Sequence, residues 1–382
     1  MKRLFMDIHI LQTVPPSCIN RDDTGSPKTA VYGGVTRARV SSQAWKKAMR
    51  DMFRNAITGE TFEMGIRTKA LLELVTEKIM NIQPGVEEKR ASKFAMDTIN
   101  LAGEKKIIKS KNNDNKKEDD SEEAEQSGNE ALFLITPKQI ESVARLALRW
   151  INGDKKPTKC EVIDALNINK GIDEALFGRM VAQAPSLNTE ACAQVAHSIS
   201  THKVITEYDF YTAVDDIENE DHAGAAFLDT NEFYSATFYR YSTVAIHELQ
   251  EYLQGKTPEA VRMFLDAFAL SMPTGKQNSY ANNNPPFLVF VTFREDRPVN
   301  MSGAFEKAVS AGKDGSEGYE QASIYALERY VEEIHDKWVG KPASMFYCGR
   351  GTNTFGESLS FSELRNKVYK LVNEYVSGGG LS

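Results

Sequence analysis

The sequence predicts an α+β fold of ferredoxin-like type, carried by a domain that a helical insertion divides. Three observations point there. Apolar residues alternate with period two near the N-terminus, and strand-like runs return beyond residue 232. A long stretch between them reads as helical, and the elements run β, β, α, insertion, β, α, β. The chain has 382 residues, 41% of them apolar and 26% charged, enough for two or three domains with real cores.

At 3–12, Leu4, Met6, Ile8 and Ile10 point one way and Asp7 and His9 the other, which is a strand. Pro15-Pro16 is expected to end it. A polar loop at 20–34 holds Gly25, Pro27 and Gly33-Gly34, and 35–40 reads as a short strand with Arg37 and Arg39 on one face. Ser41-Ser42 offers a helix N-cap, after which Trp45, Ala48, Met49 and Met52 form an apolar stripe. Residues 61–184 read as mostly helical, including an amphipathic run at 68–80 and the capping box Thr136-Pro137-Lys138-Gln139 ahead of 140–150. Within them, 109–130 has Ala124 as its only aliphatic residue and a dense acidic cluster, so a mobile loop is expected, with an acidic nucleic-acid mimic as the other reading. A helix is expected at 189–200. A projecting loop or hairpin is expected at 203–231, and a strand at 233–245. A helix from Thr257-Pro258, a polar loop at 274–286, a buried strand at 287–293 and a capping box at Ser360–Glu363 complete the chain. The main domain is then discontinuous (1–60, 185–204 and 232–382), with an insertion at 61–184 and a projection at 205–231.

Composition excludes several classes. The longest apolar stretch, near 287–293, is too short for a membrane span. Asp7 and His9 interrupt the N-terminal apolar run, so no export signal is expected and a cytoplasmic location is. Cys18, Cys160, Cys192 and Cys348 match neither a zinc nor a disulfide framework, and reduced, mostly buried thiols are expected. Charge is unevenly placed. Residues 1–50 carry nine basic and three acidic side chains in a chain of net charge −7, so a basic patch sits on an acidic protein.

Catalytic signatures are sparse. Gly275-Lys276-Gln277 lacks the rest of a phosphate-binding loop, and no Gly-x-Ser-x-Gly elbow occurs. On a helix, His197 and His202 would not share a metal, and His9 among apolar neighbours reads as structural. The doublets Asp22-Asp23, Asp119-Asp120 and Asp215-Asp216 could serve a two-metal nuclease, but adjacent side chains on extended chain diverge, and loop capping is the plainer role for Asp22-Asp23. No cofactor, metal or catalytic residue is expected. The stronger signal runs from Arg21 to Arg50. Arg37 and Arg39 approach from a strand, and Ser41, Ser42 and Gln43 open a helix bearing Lys46, Lys47 and Arg50 off its apolar stripe. A solvated basic helix face is the simpler alternative. Phe210 and Tyr211 lie in an acidic, small-residue segment, where they either pack under their loop or stack on a base or a neighbouring subunit.

The runs Pro16-Ser17-Cys18-Ile19-Asn20-Arg21-Asp22-Asp23, Tyr32-Gly33-Gly34 and Arg37-Ala38-Arg39-Val40-Ser41-Ser42-Gln43-Ala44-Trp45-Lys46-Lys47-Ala48-Met49-Arg50 closely resemble the CasC family, the backbone subunits of type I-E CRISPR surveillance complexes (Cascade) in the RAMP superfamily. Gly178-Arg179-Met180, Ala196-His197-Ser198-Ile199-Ser200-Thr201-His202, Asp209-Phe210-Tyr211-Thr212-Ala213-Val214-Asp215-Asp216, Phe238-Tyr239-Arg240-Tyr241, Gly275-Lys276-Gln277 and Ala304-Phe305-Glu306-Lys307-Ala308-Val309 extend the resemblance over most of the chain. It implies an RRM-like palm, helical fingers and a thumb near 205–231. Copies would polymerise head to tail along one CRISPR guide RNA, kinking it at intervals and presenting bases to target DNA. Partners would be the large subunit, small subunits, a 5′-end cap subunit and the guide-processing 3′-end endoribonuclease. Arg21, Lys28, Arg37, Arg39, Ser41, Ser42, Gln43, Lys46, Lys47, Arg50, Arg179, Met180, Lys276 and Gln277 would contact RNA. Phe210, Tyr211, Thr212, Val214 and Leu228 would form the thumb's grip. The rival readings are a metal-dependent ribonuclease of the type III backbone kind using Asp22 or Asp23, and a general single-strand RNA chaperone.

Overall fold

The computed structural model describes residues 2–56, 62–109, 132–213, 227–312 and 318–378. Two compact units emerge, one from 1–56 with 193–382 and one from 57–192. The expected acidic loop lies outside the described residues save for Lys109, as do Val214, Asp119-Asp120 and Asp215-Asp216.

The larger unit is α+β. It opens with β1 (Phe5–Ser17), the hairpin β2 (Thr29–Tyr32) and β3 (Val35–Val40), and α1 (Ser42–Ala56). The smaller unit then supplies β4 (Ile66–Thr68), α2 (Leu71–Ile82), α3 (Glu88–Asn100), β5 (Phe133–Ile135), α4 (Pro137–Ile151), α5 (Lys159–Asn167) and α6 (Ile172–Phe177). The larger unit resumes with β6 (Ala193–Val195), β7 (Ser198–Ser200), β8 (Glu207–Ala213), β9 (Phe227–Ala245), α7 (Ile246–Leu253), α8 (Thr257–Leu270), the short α9 (Gln277–Tyr280), β10 (Leu288–Arg294), α10 (Glu320–Ile334), β11 (Ser344–Gly349), β12 (Glu357–Ser358) and α11 (Phe361–Val376). Its sheet runs β12-β11-β10-β1-β9-β7-β3-β2, with β6 and β8 also on β9.

β1 is the central strand, antiparallel to both β9 and β10, so that His9 stands opposite Tyr241 on one side and Phe290 on the other. Both its faces are buried. The even-numbered residues Met6, Ile8 and Ile10 are wholly covered, and so are Asp7 and His9. Tyr239, Tyr241, Phe290, Tyr347 and Phe355 form one core with Ile324, Leu327 and Val331 of α10 and with Met301 and Phe305. Burial pushes the His9 imidazole down to about 3 and the Asp7 carboxyl up to about 6. Asp7 accepts from Tyr241 O–H at 2.9 Å and from Val299 N–H at 3.0 Å. Elsewhere in this unit, Arg240 of β9 stacks 3.7 Å from the Trp45 ring centroid, joining α1 to the sheet.

Two sequence expectations need correcting. Pro15-Pro16 does not end β1. The strand continues to Ser17 opposite Tyr234, with the register shifting between Val14 and Ser17, because a bulge removes the need for a proline N–H in the ladder. Residues 189–200 are not a helix. Their Ala, Glu and Gln content favours one, but β9 offers unpaired backbone groups that β6 and β7 take up. Ser198 and Ser200 are then buried with their hydroxyls occupied, one accepting from Trp45 Nε1–H at 2.9 Å and the other from Ala38 N–H at 3.0 Å.

In the smaller unit α2 to α5 enclose an apolar core that includes Val75, Ile79, Ala95, Val143 and Val162. Complete capping boxes open α4 at Thr136/Gln139 and α5 at Thr158/Glu161, and another opens α11 at Ser360/Glu363. Among the described residues no helix is long and apolar enough to cross a membrane.

Candidate nucleic-acid interface

The N-terminus of α1 is built by the loop before β2. Ser41 caps the helix by accepting from Ala44 N–H, and its own N–H donates to Asn20 Oδ1 at 2.9 Å. Asn20 O in turn accepts from Lys28 N–H, and Lys28 O accepts from Arg39 N–H, both at 2.9 Å. The loop is closed by Asp22, whose Oδ1 receives Thr24 Oγ1–H at 2.7 Å and the N–H groups of Thr24 and Ser26 at 3.0 Å. The Thr24 hydroxyl is the main reason the Asp22 carboxyl sits below its usual range. These bonds fit a loop-closing aspartate, and no group of three His, Cys, Asp or Glu among the described residues could hold a metal.

This frame leaves cations at the surface. Arg21 is exposed and Lys28 half-buried, and neither side chain makes an ion pair or hydrogen bond among the described residues. Arg39 donates from Nε to Thr29 O and from Nη1 to His197 Nδ1, both at 3.1 Å. Gln43 and Lys47 are exposed, while Ser42, Lys46 and Arg50 are half-buried. Lys47 pairs with Asp51 at 2.6 Å, but both are open to water, so the pair is worth about 0–1 kcal/mol and a phosphate can displace it.

Two arginines do not belong to such a surface. Arg37 is fully buried, donating to Tyr32 O, Ser200 O, Phe305 O and Glu306 O at 3.2, 2.8, 2.9 and 3.2 Å. Its expected contact with RNA is therefore corrected: it ties the β2–β3 hairpin to the rest of its unit. Gly33 belongs to the same joint, since at φ 59° a Cβ there would fall 1.7 Å from Glu306 O. In the smaller unit Arg179 is likewise buried. It donates to Leu187 O at 2.9 Å, Leu166 O at 3.1 Å and Asn167 Oδ1 at 2.9 Å, and pairs with the buried Glu174 at 3.3 Å. It too is removed from the contact surface, yet it fixes the loop that displays its neighbour. Arg179 and Thr189 exchange backbone hydrogen bonds, and Met180 stands 81% exposed.

Within the span 205–231, where a projecting loop or hairpin is expected, β8 pairs antiparallel with the start of β9, Phe210 opposite Thr230 and Thr212 opposite Leu228. Tyr208, Phe210 and Thr212 share one face by alternation, with Tyr208 and Phe210 63% and 69% exposed. Tyr211 lies on the other face and donates to Asp229 Oδ2 at 3.0 Å. At the hairpin's foot Lys276 donates to Asn231, and the Tyr280 ring lies 6.0 Å from that of Phe233. Gln277 donates to Asn283 Oδ1 at 2.6 Å. A Cβ at Gly275 would meet Ile19 O at 2.5 Å, so only glycine lets this segment lie against the loop that carries Arg21.

His197 is the residue that sequence reasoning missed. With 189–200 read as helix, His197 and His202 looked like a mismatched metal pair. His197 lies between β6 and β7 and His202 just after β7, and the two part company. His202 is buried, its ring stacked 3.6 Å from Tyr319, whereas His197 is exposed beside Arg39.

The sequence model of the CT1975-like protein family matches residues 6–374. The chain belongs to that family. Two solved structures resemble this CT1975-like chain closely. A chain of a "CRISPR RNA-guided surveillance complex, pre-nicking" superposes with TM-score 0.79 at 30% identity, covering 96% of this chain and 100% of that one. A chain of a "CRISPR RNA-guided surveillance complex" gives TM-score 0.69 at 28% identity over 96% and 99%. No curated protein matches the CT1975-like chain. In this member of the family the sheet face bearing His9, Tyr239, Tyr241 and Phe290 is closed by α10 and the segment around Phe305. Bases therefore cannot stack on that face as they do on an open RRM surface.

Proposed function

We propose that this CT1975-like protein is a non-catalytic CRISPR RNA-binding backbone subunit of a type I-E Cascade complex in a prokaryotic cytoplasm. The observation that carries the reading is the row of cations around the α1 N-terminus, with Arg21 and Lys28 unneutralised by any carboxylate among the described residues. Charges of this kind neutralise phosphates without reading bases, as a scaffold serving many guides requires. The strand order β10-β1-β9-β7, with α1 and α8 as crossovers, supports an RRM-like palm. The smaller unit would serve as fingers, with Met180 as an apolar wedge at a base, and the hairpin as thumb. Copies would assemble head to tail, other Cascade subunits would cap the ends, and the guide would present its bases to target DNA. With about three to five phosphate contacts per protomer, the single-strand salt slope would be roughly −2 to −3.5, so affinity would come from neighbours sharing one guide.

Lys46→Glu combined with Lys47→Glu is expected to leave the protein folded but without guide RNA when the complex is purified. Normal RNA yield from that variant would show that α1 is not the clamp. Phe210→Ala with Tyr211→Ala is expected to weaken assembly more than folding, because both side chains project from the sheet. Sedimentation of particles of unchanged mass would contradict it. The ribonuclease reading would prevail if Mg²⁺-dependent RNA cleavage appeared and Asp22→Ala abolished it.

A further inference from the structure

His197 precedes β7 on the same surface as Arg39, and its chemistry there is fixed by its neighbour. A guanidinium only donates, so the 3.1 Å contact between Arg39 Nη1 and His197 Nδ1 requires Nδ1 to be the acceptor, which puts the ring proton on Nε2. The charged groups facing the ring are Arg39 of β3 and Lys28 ahead of β2. Burial first, and then these two cations, hold the imidazole below its usual range, which favours the neutral form. The chain on either side of the ring is held. Ala196 N–H donates to Tyr241 O at 3.0 Å, Ser198 pairs with Val40, and the Ser198 hydroxyl receives Trp45 of α1. Arg39 is held at two edges, by Thr29 O and by His197, and its Nη2 makes no hydrogen bond among the described residues.

We infer that neutral His197 is a positioning residue of the RNA surface: its Nδ1 holds the Arg39 guanidinium with Nη2 free for a phosphate, and its Nε2–H donates to an adjacent backbone oxygen, a phosphate oxygen or a 2′-hydroxyl. This inference rests on the RNA-binding reading above and adds to it an uncharged member of the patch. The chemistry recognised is the ribose-phosphate backbone, not a base edge, because the ring is tied to a phosphate-directed arginine.

The test is equilibrium binding of the full-length chain to fluorescein-labelled oligouridine and oligodeoxyuridine, followed by anisotropy over a salt series at neutral pH. His197→Ala is expected to weaken oligouridine binding about threefold to tenfold, the range of one or two neutral hydrogen bonds. The salt slope should stay unchanged, because a neutral group releases no counterion, whereas Lys28→Ala should lower it by about 0.7. His197→Gln, whose amide carries both an acceptor and a donor, is expected to recover most of the loss. The Arg39→Ala/His197→Ala double variant should lose less than the sum of the two single losses, since part of the histidine's effect passes through the arginine. A loss confined to oligouridine would place Nε2–H on the 2′-hydroxyl, and an equal loss on both probes would place it on a phosphate, so both outcomes support the inference. Unchanged binding by His197→Ala, additive losses in the double variant, or a slope that falls as for a lost cation would overturn it. If Lys28→Ala weakens binding while His197→Ala is silent, only this inference fails. If the wild-type chain does not bind oligouridine, or Lys28→Ala binds as wild type does, the RNA-binding reading fails as well.

Discussion

Reversing the charge at two side chains, Arg21→Glu with Lys28→Glu, is expected to remove most of the chain's affinity for single-stranded RNA while leaving its melting temperature almost unchanged. The two halves of that expectation have separate physical grounds. Neither side chain bonds to anything among the described residues, so the fold loses no partner, and surface changes of this kind usually lie within about 0.5 kcal/mol. The structural duties at these positions belong to the backbone. Lys28 N–H donates to Asn20 O, Lys28 O receives the Tyr234 hydroxyl at 3.1 Å, and Arg21 bridges to Pro27. Binding, by contrast, loses two phosphate contacts and gains two repulsions. Loss of two contacts alone should make the salt slope shallower by about 1.4, which separates a real loss of contacts from misfolding. Anisotropy titrations over a salt series, with thermal melts alongside, read both halves. A variant that binds as tightly as wild type with the same slope would remove the basic patch from the site.

What the sequence made legible was mostly local. The boxes at Thr136/Gln139 and Ser360/Glu363 are complete within four residues, and both appear as read. The α1 stripe of Trp45, Ala48 and Met49 is buried as its spacing requires, with Phe53 rather than Met52 closing it. The strand at 287–293 appears as β10, one residue displaced. The misreadings share a different cause, because burial and pairing are set by residues far away in sequence. Arg37 reads as a surface cation by composition, but the carbonyls that consume it are those of Ser200, Phe305 and Glu306, up to 269 residues distant. The helix expected at 189–200 failed because local propensity has no knowledge of β9. The pairing of His197 was not legible for the same reason: its partner Arg39 is 158 residues away. Polar residues in this chain are therefore poorly sorted into structural and functional sets by type alone.

Arg179 and Met180 make that sorting measurable, since adjacent residues have opposite duties. Arg179→Ala is expected to destabilise the smaller unit by roughly 3–5 kcal/mol, the usual consequence of removing one member of a buried ion pair. Glu174 would keep Lys170 at 3.1 Å, the Thr189 hydroxyl at 2.8 Å and Gln139 at 3.2 Å, so its charge is not left wholly bare. The carbonyls of Leu187 and Leu166 would nevertheless lose their donor inside the fold. For a unit of this size the melting temperature should fall by on the order of 10 °C. Arg179→Lys should recover little, because one ammonium cannot span Leu187 O, Leu166 O, Asn167 and Glu174 as a planar fork does. Met180→Ala removes a side chain that is 81% exposed and should leave the melt within about 0.5 kcal/mol. If it nonetheless changes the stacking of a 2-aminopurine placed along the bound guide, the methionine is the wedge and the arginine its anchor. If Arg179→Ala melts like wild type but binds RNA less well, Arg179 serves the nucleic acid and is not the anchor of its loop.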